Sequence, residues 1–296
     1  MSVMKTEAAD DVLKFVPRDD FERLIDTLKS QSPHSLKVID VIWSNIISEE
    51  WKTKVYVNQW PNPGVVVCMN GHFNGPHTPV GDFDVFIHST SLSVLKDVLK
   101  NTKVFNWSKT MLFVGVDNGV QSVLEEIVPK SASLKFDVFS EVDLYIHTDS
   151  SKLLCSVQEG LSLRSLHEKD AETVLKHWKY GRDWLLPEFK HTIRNNSTSG
   201  LYTKNGELVS WAVHNFFGGI GFVHTLEKYR GLGCAKAVIA DATKKIMNCG
   251  IHPWAHVENV PGRERSERML EAVGYTKSGI SQKMGLYAPA GKEITY

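Results

Sequence analysis

The second half of the chain carries apolar and polar residues in patterns that predict strands and helices in turn. Apolar residues at helical spacing mark Asp170–Tyr180, Leu185–Ile193, Lys236–Met247 and Glu267–Val273. Strand-like runs lie at Leu161–Leu166, Leu201–Thr203, Glu207–His214, Ile220–Leu226 and Pro253–Val257, and a strand-like tail follows the last helix. The pair Asn205-Gly206 between two of these runs is a hairpin signal, so three antiparallel strands are expected before the helix at residue 236.

The first half alternates between the same two kinds of pattern. A helix is predicted at Phe21–Gln31, with Asp19 and Asp20 as caps, and further helices at Leu92–Leu99 and Val120–Ile127. Strands are predicted at Leu36–Trp43, Lys54–Trp60, Val65–Met69, Asp84–His88 and Met111–Val116. Such a mixture in both halves predicts an α/β fold.

The clearest polar break in the chain is Thr148–Lys152. A chain of 296 residues is long enough for two domains of ordinary size, each with its own core. We therefore predict an N-terminal domain over residues 1–150 and a C-terminal domain over residues 151–296.

Charge and composition exclude several classes of partner. Lys and Arg together number 34, as do Asp and Glu, so the formal net charge is zero and no global field attracts nucleic acid or an acidic membrane. No apolar run approaches the roughly 20 residues that a membrane helix needs, so no membrane span is predicted. The four cysteines show no metal-ligand spacing and no disulfide framework, and they are Cys68, Cys155, Cys234 and Cys249.

The N-terminus carries Glu7, Asp10 and Asp11 and lacks the pattern of a signal or transit peptide. We predict an intracellular monomer without a metal site.

The segment Tyr229–Ala235 is the strongest functional signal, because it joins a predicted strand to a predicted helix through two glycines. Gly231 and Gly233 permit backbone conformations that a Cβ would block, and the amides of the turn and of the helix N-terminus attract an anion. Arg230 adds a full positive charge. The spacing matches neither the dinucleotide fingerprint nor the P-loop, so a different phosphate ligand is indicated.

The pattern Arg230-x-x-Gly233-x-Ala235 resembles the coenzyme A diphosphate loop of the GNAT superfamily of N-acyltransferases. The order of predicted elements in the second half is similar to that fold, a mixed and mainly antiparallel sheet flanked by helices, and the first half is predicted to be an α/β domain of related type. The resemblance implies that Arg230, Gly231, Leu232, Gly233, Cys234 and Ala235 bind the diphosphate of coenzyme A. It also implies that the pantetheine arm follows the preceding strand at Val223, Thr225 and Leu226 and reaches Asn259.

Short segments in both halves together resemble the glycine N-acyltransferase family. They include Val57–Pro61, Asn106-Trp107, His177–Gly181, Gly206–Trp211, Lys228–Arg230 and His256-Val257. This resemblance implies transfer of an acyl group from acyl-CoA to the amine of glycine or another small amino acid, by direct attack in a ternary complex. Acyl-CoA would be a cosubstrate, with no prosthetic group. The family resemblance also favours a mitochondrial location over a cytoplasmic one.

The general base is the point at which the sequence departs from the family pattern. The family's proposed base is a glutamate immediately before the Tyr-Arg pair, where this chain has Lys228, and Glu227 stands one residue earlier. A shift of one residue at a strand end reverses the direction of the side chain. Glu227 is our first candidate base and His224, whose ordinary pKa suits the task, is the second. Leu270 stands where many relatives carry a tyrosine that protonates the leaving thiolate.

These departures leave two alternatives to an amino acid N-acyltransferase. One is a CoA-binding protein that has lost turnover, and the other is an N-acetyltransferase acting on proteins or peptides. A free amino acid needs a closed pocket with a cation for its carboxylate, for which Arg182 and Lys228 are candidates.

Overall fold

The computed structural model describes residues 11–71, 82–128, 137–154 and 156–289. Cys155 lies outside these residues. The first half begins with a short strand and two helices and continues with five strands and two further helices. These elements are β1 (Lys14–Phe15), α1 (Phe21–Lys29), α2 (Leu36–Ile47), β2 (Lys54–Val57), β3 (Val65–Gly71), β4 (Phe83–Ser89), α3 (Leu92–Asn101), β5 (Met111–Val116), α4 (Asn118–Ile127) and β6 (Asp137–His147).

The second half repeats this order of elements, starting again with a strand and two helices. Its elements are β7 (Leu161–Arg164), α5 (Ala171–Lys176), α6 (Leu186–Asn195), β8 (Thr198–Thr203), β9 (Leu208–His214), β10 (Ile220–Thr225), α7 (Cys234–Asn248), β11 (Trp254–Glu258), α8 (Glu264–Glu271) and β12 (Tyr275–Tyr287). The prediction of a mixed sheet with flanking helices and of two related α/β halves is confirmed.

All twelve strands form one continuous sheet, in the order β1-β2-β3-β4-β5-β12-β6-β11-β10-β9-β8-β7. The last strands of the two halves are exchanged, because β12 pairs with β5 of the first half and β6 pairs with β11 of the second. β6 and β12 also pair with each other over most of their length. The predicted boundary at residue 150 falls between β6 and β7, but the sheet does not divide there.

Helices cover both faces of the sheet and bury it in an apolar core. One face is covered by α1, α2, α7 and α8, whose buried residues form a single cluster spanning both halves. On the opposite face, α3 and α4 cover the strands of the first half, and α5 and α6 cover those of the second. The alternation of β3 shows the two faces directly, since Val66 and Cys68 belong to the first cluster while Val65 and Val67 belong to the other side.

The predicted strand at Leu36–Trp43 is wrong, because these residues lie in helix α2. The β-branched residues of this segment favour strands. Nine of the twelve residues of helix α2 are buried. A helix buried on most of its surface shows no polar stripe, so its apolar pattern cannot be distinguished from that of a buried strand. Strand β6 was not predicted at all, whereas most of the remaining elements are found within a few residues of their predicted bounds.

Candidate active site

The loop between β10 and α7 adopts a conformation that requires its glycines. Gly231 has φ +78° and Gly233 has φ +76°, both in the left-handed region that side chains disfavour. A Cβ added at either residue would meet no atom within 4 Å, so this side of the loop is open space. Gly233 is also the N-cap residue of α7 and provides no side-chain cap.

The backbone amides of this loop are free to bind an anion. Within the described part of the chain, the N–H groups of residues 231–235 bond to no other residue, although that of Cys234 faces its own sulfur. The first hydrogen bond of the helix runs from the Ala237 N–H to the Gly233 carbonyl, at 3.1 Å. These amides lie at the N-terminus of a helix of fifteen residues, where the helix dipole adds partial positive charge. The residues predicted from the sequence as a diphosphate site therefore form one open, amide-rich corner. We call residues 230–235 the phosphate loop.

Two side chains of the phosphate loop have defined surroundings. Arg230 is exposed, and its Nε donates to the Thr225 carbonyl at 3.2 Å, which holds the guanidinium beside the end of β10. Cys234 is buried as the first residue of α7, and burial raises the pKa of its thiol. A thiol in this state is a poor nucleophile, which agrees with a packing role for Cys234.

Strand β10 has an open edge that leads to the phosphate loop. It is parallel to β11 but pairs with it only at Ile220 and Ala255, so the two strands separate beyond that point. A β-bulge between Gly221 and His224 interrupts the pairing with β9, and Phe222 within it has a φ of +51°. Such a bulge leaves backbone groups without a partner in the ladder.

The Leu226 N–H donates to the Val209 carbonyl at 2.9 Å, which removes Leu226 from the arm donors predicted from the sequence. Since successive residues of a strand face opposite edges, Thr225 faces the open edge, where its carbonyl accepts from Arg230. Of the predicted donors, Val223 in the bulge and Thr225 stay candidates.

A pocket with a volume of about 600 Å³ lies where β10 and β11 separate. Its walls come from both halves and are mainly apolar and aromatic, being formed by Leu112, Val114, Phe139, Val142, Trp178, Trp184, Leu185, Phe216, Phe217, Ile220, Phe222 and Met284. The polar side chains in the walls are Asp84, Ser140, Tyr180, Arg182, Glu188, Asn215, His256 and Glu258. A concave apolar site with a few polar groups is the usual form of a small-molecule site.

Glu258 is the carboxylate on the pocket wall formed by β11. Its Oε1 accepts from the Tyr180 hydroxyl at 2.6 Å and from the Ser140 hydroxyl at 3.1 Å. Its Oε2 forms an ion pair with Lys179. Burial works to raise the pKa of Glu258, but the bonds from Lys179 and Tyr180 outweigh burial and lower the pKa, so the group is a carboxylate at neutral pH.

His256 lies two residues before Glu258 and shares its wall of the pocket. Its Nε2 is 2.9 Å from Oε1 of Gln282, and the same oxygen accepts from Nζ of the buried Lys37 at 2.9 Å. Lys37 also donates to the Gly115 carbonyl, at 2.9 Å. Burial lowers the pKa of Lys37 to about 7, and burial together with the charge of Lys37 lowers the pKa of His256 to about 3. His256 is therefore neutral at physiological pH.

The two bases predicted from the sequence do not line this pocket. Glu227 is exposed in a short turn after β10. The half-buried ring of His224 stacks on Trp211, with ring centres 5.0 Å apart, and lies 4.6 Å from the His177 ring. Burial, followed by the charges of His177 and Arg230, lowers the pKa of His224. The catalytic roles of Glu227 and His224 stay predictions.

The other predicted contacts are placed as follows. Asn259 is exposed just after β11, where its Oδ1 accepts from Arg263 at 2.8 Å, so its contact with the arm stays a prediction. Arg182 lines the pocket, whereas Lys228 pairs with Glu207 on the surface at 3.2 Å. Tyr180 and Glu258 were not assigned a role from the sequence. Tyr180 lies in a segment that carried the family resemblance, which is the one signal that pointed to it.

Comparison with known proteins identifies the family. The family model for aralkyl acyl-CoA:amino acid N-acyltransferases matches residues 16–185, which is more than half of the chain. The chain belongs to this family. A second model, for FR47-like proteins, matches residues 198–283, which contain the phosphate loop and β11. Membership of this family confirms the prediction that the protein is an acyl-CoA-dependent N-acyltransferase.

Relatives of established name match most of the chain. Glycine N-phenylacetyltransferase of Bos taurus is 26% identical over 258 residues, covering 78% of this chain and 85% of the relative. Glycine N-acyltransferase of Homo sapiens is 22% identical and covers 84% of this chain and 88% of the relative. Human glycine N-acyltransferase-like protein 2 is 20% identical and covers 85% and 90% respectively.

Solved structures show the same fold over the whole molecule. A Drosophila protein superposes with a TM-score of 0.70 at 18% identity, covering 94% of this chain and 98% of its own. A putative acetyltransferase of Pyrococcus horikoshii gives a TM-score of 0.51 at 10% identity, covering 100% of this chain and 95% of its own. The two-halved arrangement is therefore shared with proteins of very different sequence.

None of the helices within residues 11–71, 82–128, 137–154 and 156–289 is long and apolar enough to cross a membrane. The same part of the chain contains no group of three or more His, Cys, Asp and Glu side chains arranged to hold a metal ion.

Proposed function

We propose that this protein transfers an acyl group from acyl-CoA to the amine of glycine or another small amino acid, by direct attack in a ternary complex. The observation that carries the proposal is the continuity of three features: the phosphate loop with its free amides, the open edge of β10 that leads from it, and the apolar pocket at the far end of that edge. Coenzyme A has three corresponding parts, which are the diphosphate, the extended pantetheine arm and the acyl group.

Binding of acyl-CoA would use mainly backbone groups. The diphosphate accepts hydrogen bonds from the amides of residues 231–235, beside the charge of Arg230. The arm adds to the open edge of β10 as an extra strand does, with donors at Val223 and Thr225. A backbone N–H of the bulge, such as that of Val223, would face the region where the thioester oxygen lies, and such a donor stabilises the oxyanion that develops during attack.

The reaction needs a neutral amine about 3 Å from the thioester carbon. The nitrogen attacks the carbonyl carbon, the C–N bond forms, the C–S bond breaks, and coenzyme A leaves as the thiol. An acceptor that enters as an ammonium loses one proton to a base before the attack, and the one further proton that nitrogen loses as the amide forms goes to the departing sulfur. A thioester is already activated, so the protein has no need of a nucleophile of its own.

The acceptor assignment is supported by the pocket and by the relatives. Arg182 lines the pocket, and a guanidinium is well suited to hold the carboxylate of an amino acid. The bovine and human relatives carry names that specify glycine as acceptor. The monomeric state and the intracellular location, cytoplasmic or mitochondrial, are part of the same proposal.

A CoA-binding protein without turnover is the second candidate. It is favoured by the position of Glu227, exposed and away from the pocket, and by Leu270, which is buried where relatives carry a tyrosine. A peptide N-acetyltransferase is the third.

Release of free CoA thiol separates these functions. A panel of acyl-CoA donors is tested with glycine, other small amino acids, simple amines and short peptides, and binding of each donor is measured separately by calorimetric titration. We expect release with glycine or another small amino acid. Binding without release in every combination would establish the inactive binder, and release with peptides alone would establish the third candidate.

A further inference from the structure

We infer that the ammonium group of the acceptor binds to the wall of the pocket formed by β11, between the carboxylate of Glu258 and Nδ1 of His256. This inference rests on the proposed function and adds to it the subsite for the amine. β11 is the strand next to the open edge of β10. An amine held on this wall therefore lies across from the strand along which the arm and thioester are proposed to bind.

Glu258 has the capacity to accept a further hydrogen bond. A carboxylate offers about four acceptor positions on its two oxygens, and three donors contact it, namely Tyr180, Ser140 and Lys179. Two of them bind Oε1 and one binds Oε2, so Oε2 keeps an acceptor position. The side chain of Lys179 is 52% exposed and that of Glu258 is 23% exposed, which lets the lysine shift toward solvent as an ammonium enters.

His256 supplies the second acceptor, because its tautomer is determined by its neighbours. As an ammonium Lys37 can only donate, so in that state the atom of Gln282 that faces it is the amide oxygen. That same oxygen is the partner of Nε2 of His256, and Nε2 must therefore carry the proton. A neutral imidazole protonated at Nε2 has its lone pair on Nδ1. No described residue donates to Nδ1, and His256 lines the pocket.

Other carboxylates of the pocket are less well placed for this role. Asp84 lies on β4, which is separated from β10 by four strands of the sheet, and Glu188 lies on helix α6. Only Glu258 combines a place on the strand next to β10 with a second acceptor two residues away on the same strand face. Together with Arg182, this wall gives the pocket opposite charges that match the two ends of an amino acid zwitterion.

The first test compares Glu258→Gln with Lys179→Met, using glycine or the best acceptor of the panel. E258Q keeps the size of the side chain but removes its charge, so the KM for the acceptor should rise about 10-fold to 100-fold, while the Kd for acyl-CoA is unchanged. K179M removes the ion pair but keeps the carboxylate, so the KM for the acceptor should stay within about twofold of wild type or fall. If K179M raised the KM as much as E258Q, the ion pair would be structural and the inference would be overturned.

The second test uses two substitutions that separate the nitrogens of His256. H256Q can keep a donor to Gln282 but has no acceptor at the position of Nδ1, whereas H256N can keep an acceptor near Nδ1 but loses the bond to Gln282. We expect H256Q to raise the KM for the acceptor about 10-fold and H256N to raise it less. The opposite order, with an unchanged Kd for acyl-CoA in both variants, would show that the bond to Gln282 is what matters.

Failure of the inference and failure of the proposed function give different results. If wild-type protein accepts no amino acid, the proposed function fails before any variant is compared. If wild-type protein turns over glycine and both E258Q and H256Q retain its KM, the function stands and the amine subsite is elsewhere.

Discussion

The two halves of this molecule have the same elements in the same order, but the equivalent helices α3 and α7 begin differently. In the first half, the N-cap of α3 is Ser91, whose hydroxyl accepts from the Val94 N–H, so this helix end is capped by its own chain. In the second half, the N-cap of α7 is Gly233, which has no side chain to accept from the first amides of the helix. The residue at the N-cap thus decides whether the helix end is capped by its own chain or left open.

The strands before these helices also differ, because one is more completely paired with its neighbours than the other. β4 pairs with β5 at three positions and with β3 in unbroken register. β10 pairs with β11 at one position and is interrupted by a bulge toward β9. The proposed binding site therefore lies in the half whose strands are less completely paired. The backbone groups of β10 that lack a strand partner are the ones to which the arm of acyl-CoA is proposed to bond.

The largest effect is expected for Asp40→Ala, which tests how much the contact of Asp40 with the second half stabilises the fold. Asp40 of α2 accepts from the Gly219 N–H at 2.8 Å and lies 3.3 Å from Nε2 of His214, and both side chains are buried. The substitution leaves a buried N–H without a partner, so the free energy of unfolding should fall by about 3 kcal/mol. Urea unfolding followed by circular dichroism measures the change.

Asp26→Ala is the matched control, because Asp26 is an exposed aspartate of α1 paired only with Lys29. Its unfolding curve should superpose on that of wild type. An equal loss in both variants would mean that the contact of Asp40 with the second half contributes nothing specific.

Gly233→Asp makes the end of α7 resemble that of α3. The new carboxylate would accept from the loop amides and repel a diphosphate, and the left-handed φ of +76° adds strain. The Kd for acyl-CoA should rise about 100-fold. Ser91→Asp places the same residue at the equivalent cap of the first half, where it should leave that Kd unchanged. Equal affinity in both variants, measured by calorimetry, would contradict the assignment of the phosphate loop.

Lys37→Met tests the buried lysine that joins α2 to β5 and β12. Burial lowers the pKa of Lys37 from 10.5 to about 7. Between these values the unfolded chain binds more protons than the folded one, so this group makes the free energy of unfolding rise with pH. Its destabilising effect is complete below pH 7 and disappears as the pH approaches 10.5. The slope from one such group is at most about 1.4 kcal/mol per pH unit. In K37M the dependence between pH 7 and 9 should flatten, and a curve parallel to wild type would show that Lys37 does not titrate there.

The smallest effect is expected for Ser91→Ala. Loss of this N-cap should reduce the free energy of unfolding by about 1 kcal/mol. Acyl-CoA affinity should not change, because the end of α3 is not part of the proposed site. A change in affinity would show that the end of α3 takes part in binding the donor.

The sequence predicted those parts of the site that are encoded locally. A strand, two glycines and a helix follow one another within a few residues, so Arg230, Gly231 and Gly233 in this context predicted the phosphate loop. Helix α2 could not be predicted, because burial of residues such as Val38 and Ile42 removes the polar stripe that would reveal its period.

The pocket could not be predicted for a different reason. Its walls run from Asp84 to Met284, and they meet only because β6 and β12 are exchanged between the halves. Strand partners are not encoded by local periodicity. The same limit explains why Glu227, next to the loop in sequence, was the candidate base, while Glu258 and Tyr180 were not assigned a role.

The exchange of the last strands also has a consequence for how the protein is made. β12 occupies residues 275–287, yet it lies between β5 and β6. During translation, the edge of the N-terminal sheet at Met111–Val116 lacks its partner β12 until nearly three hundred residues have been synthesised. Nascent chains that stop short of β12 should therefore be substrates for chaperones and proteases, so that only a fully synthesised enzyme escapes quality control.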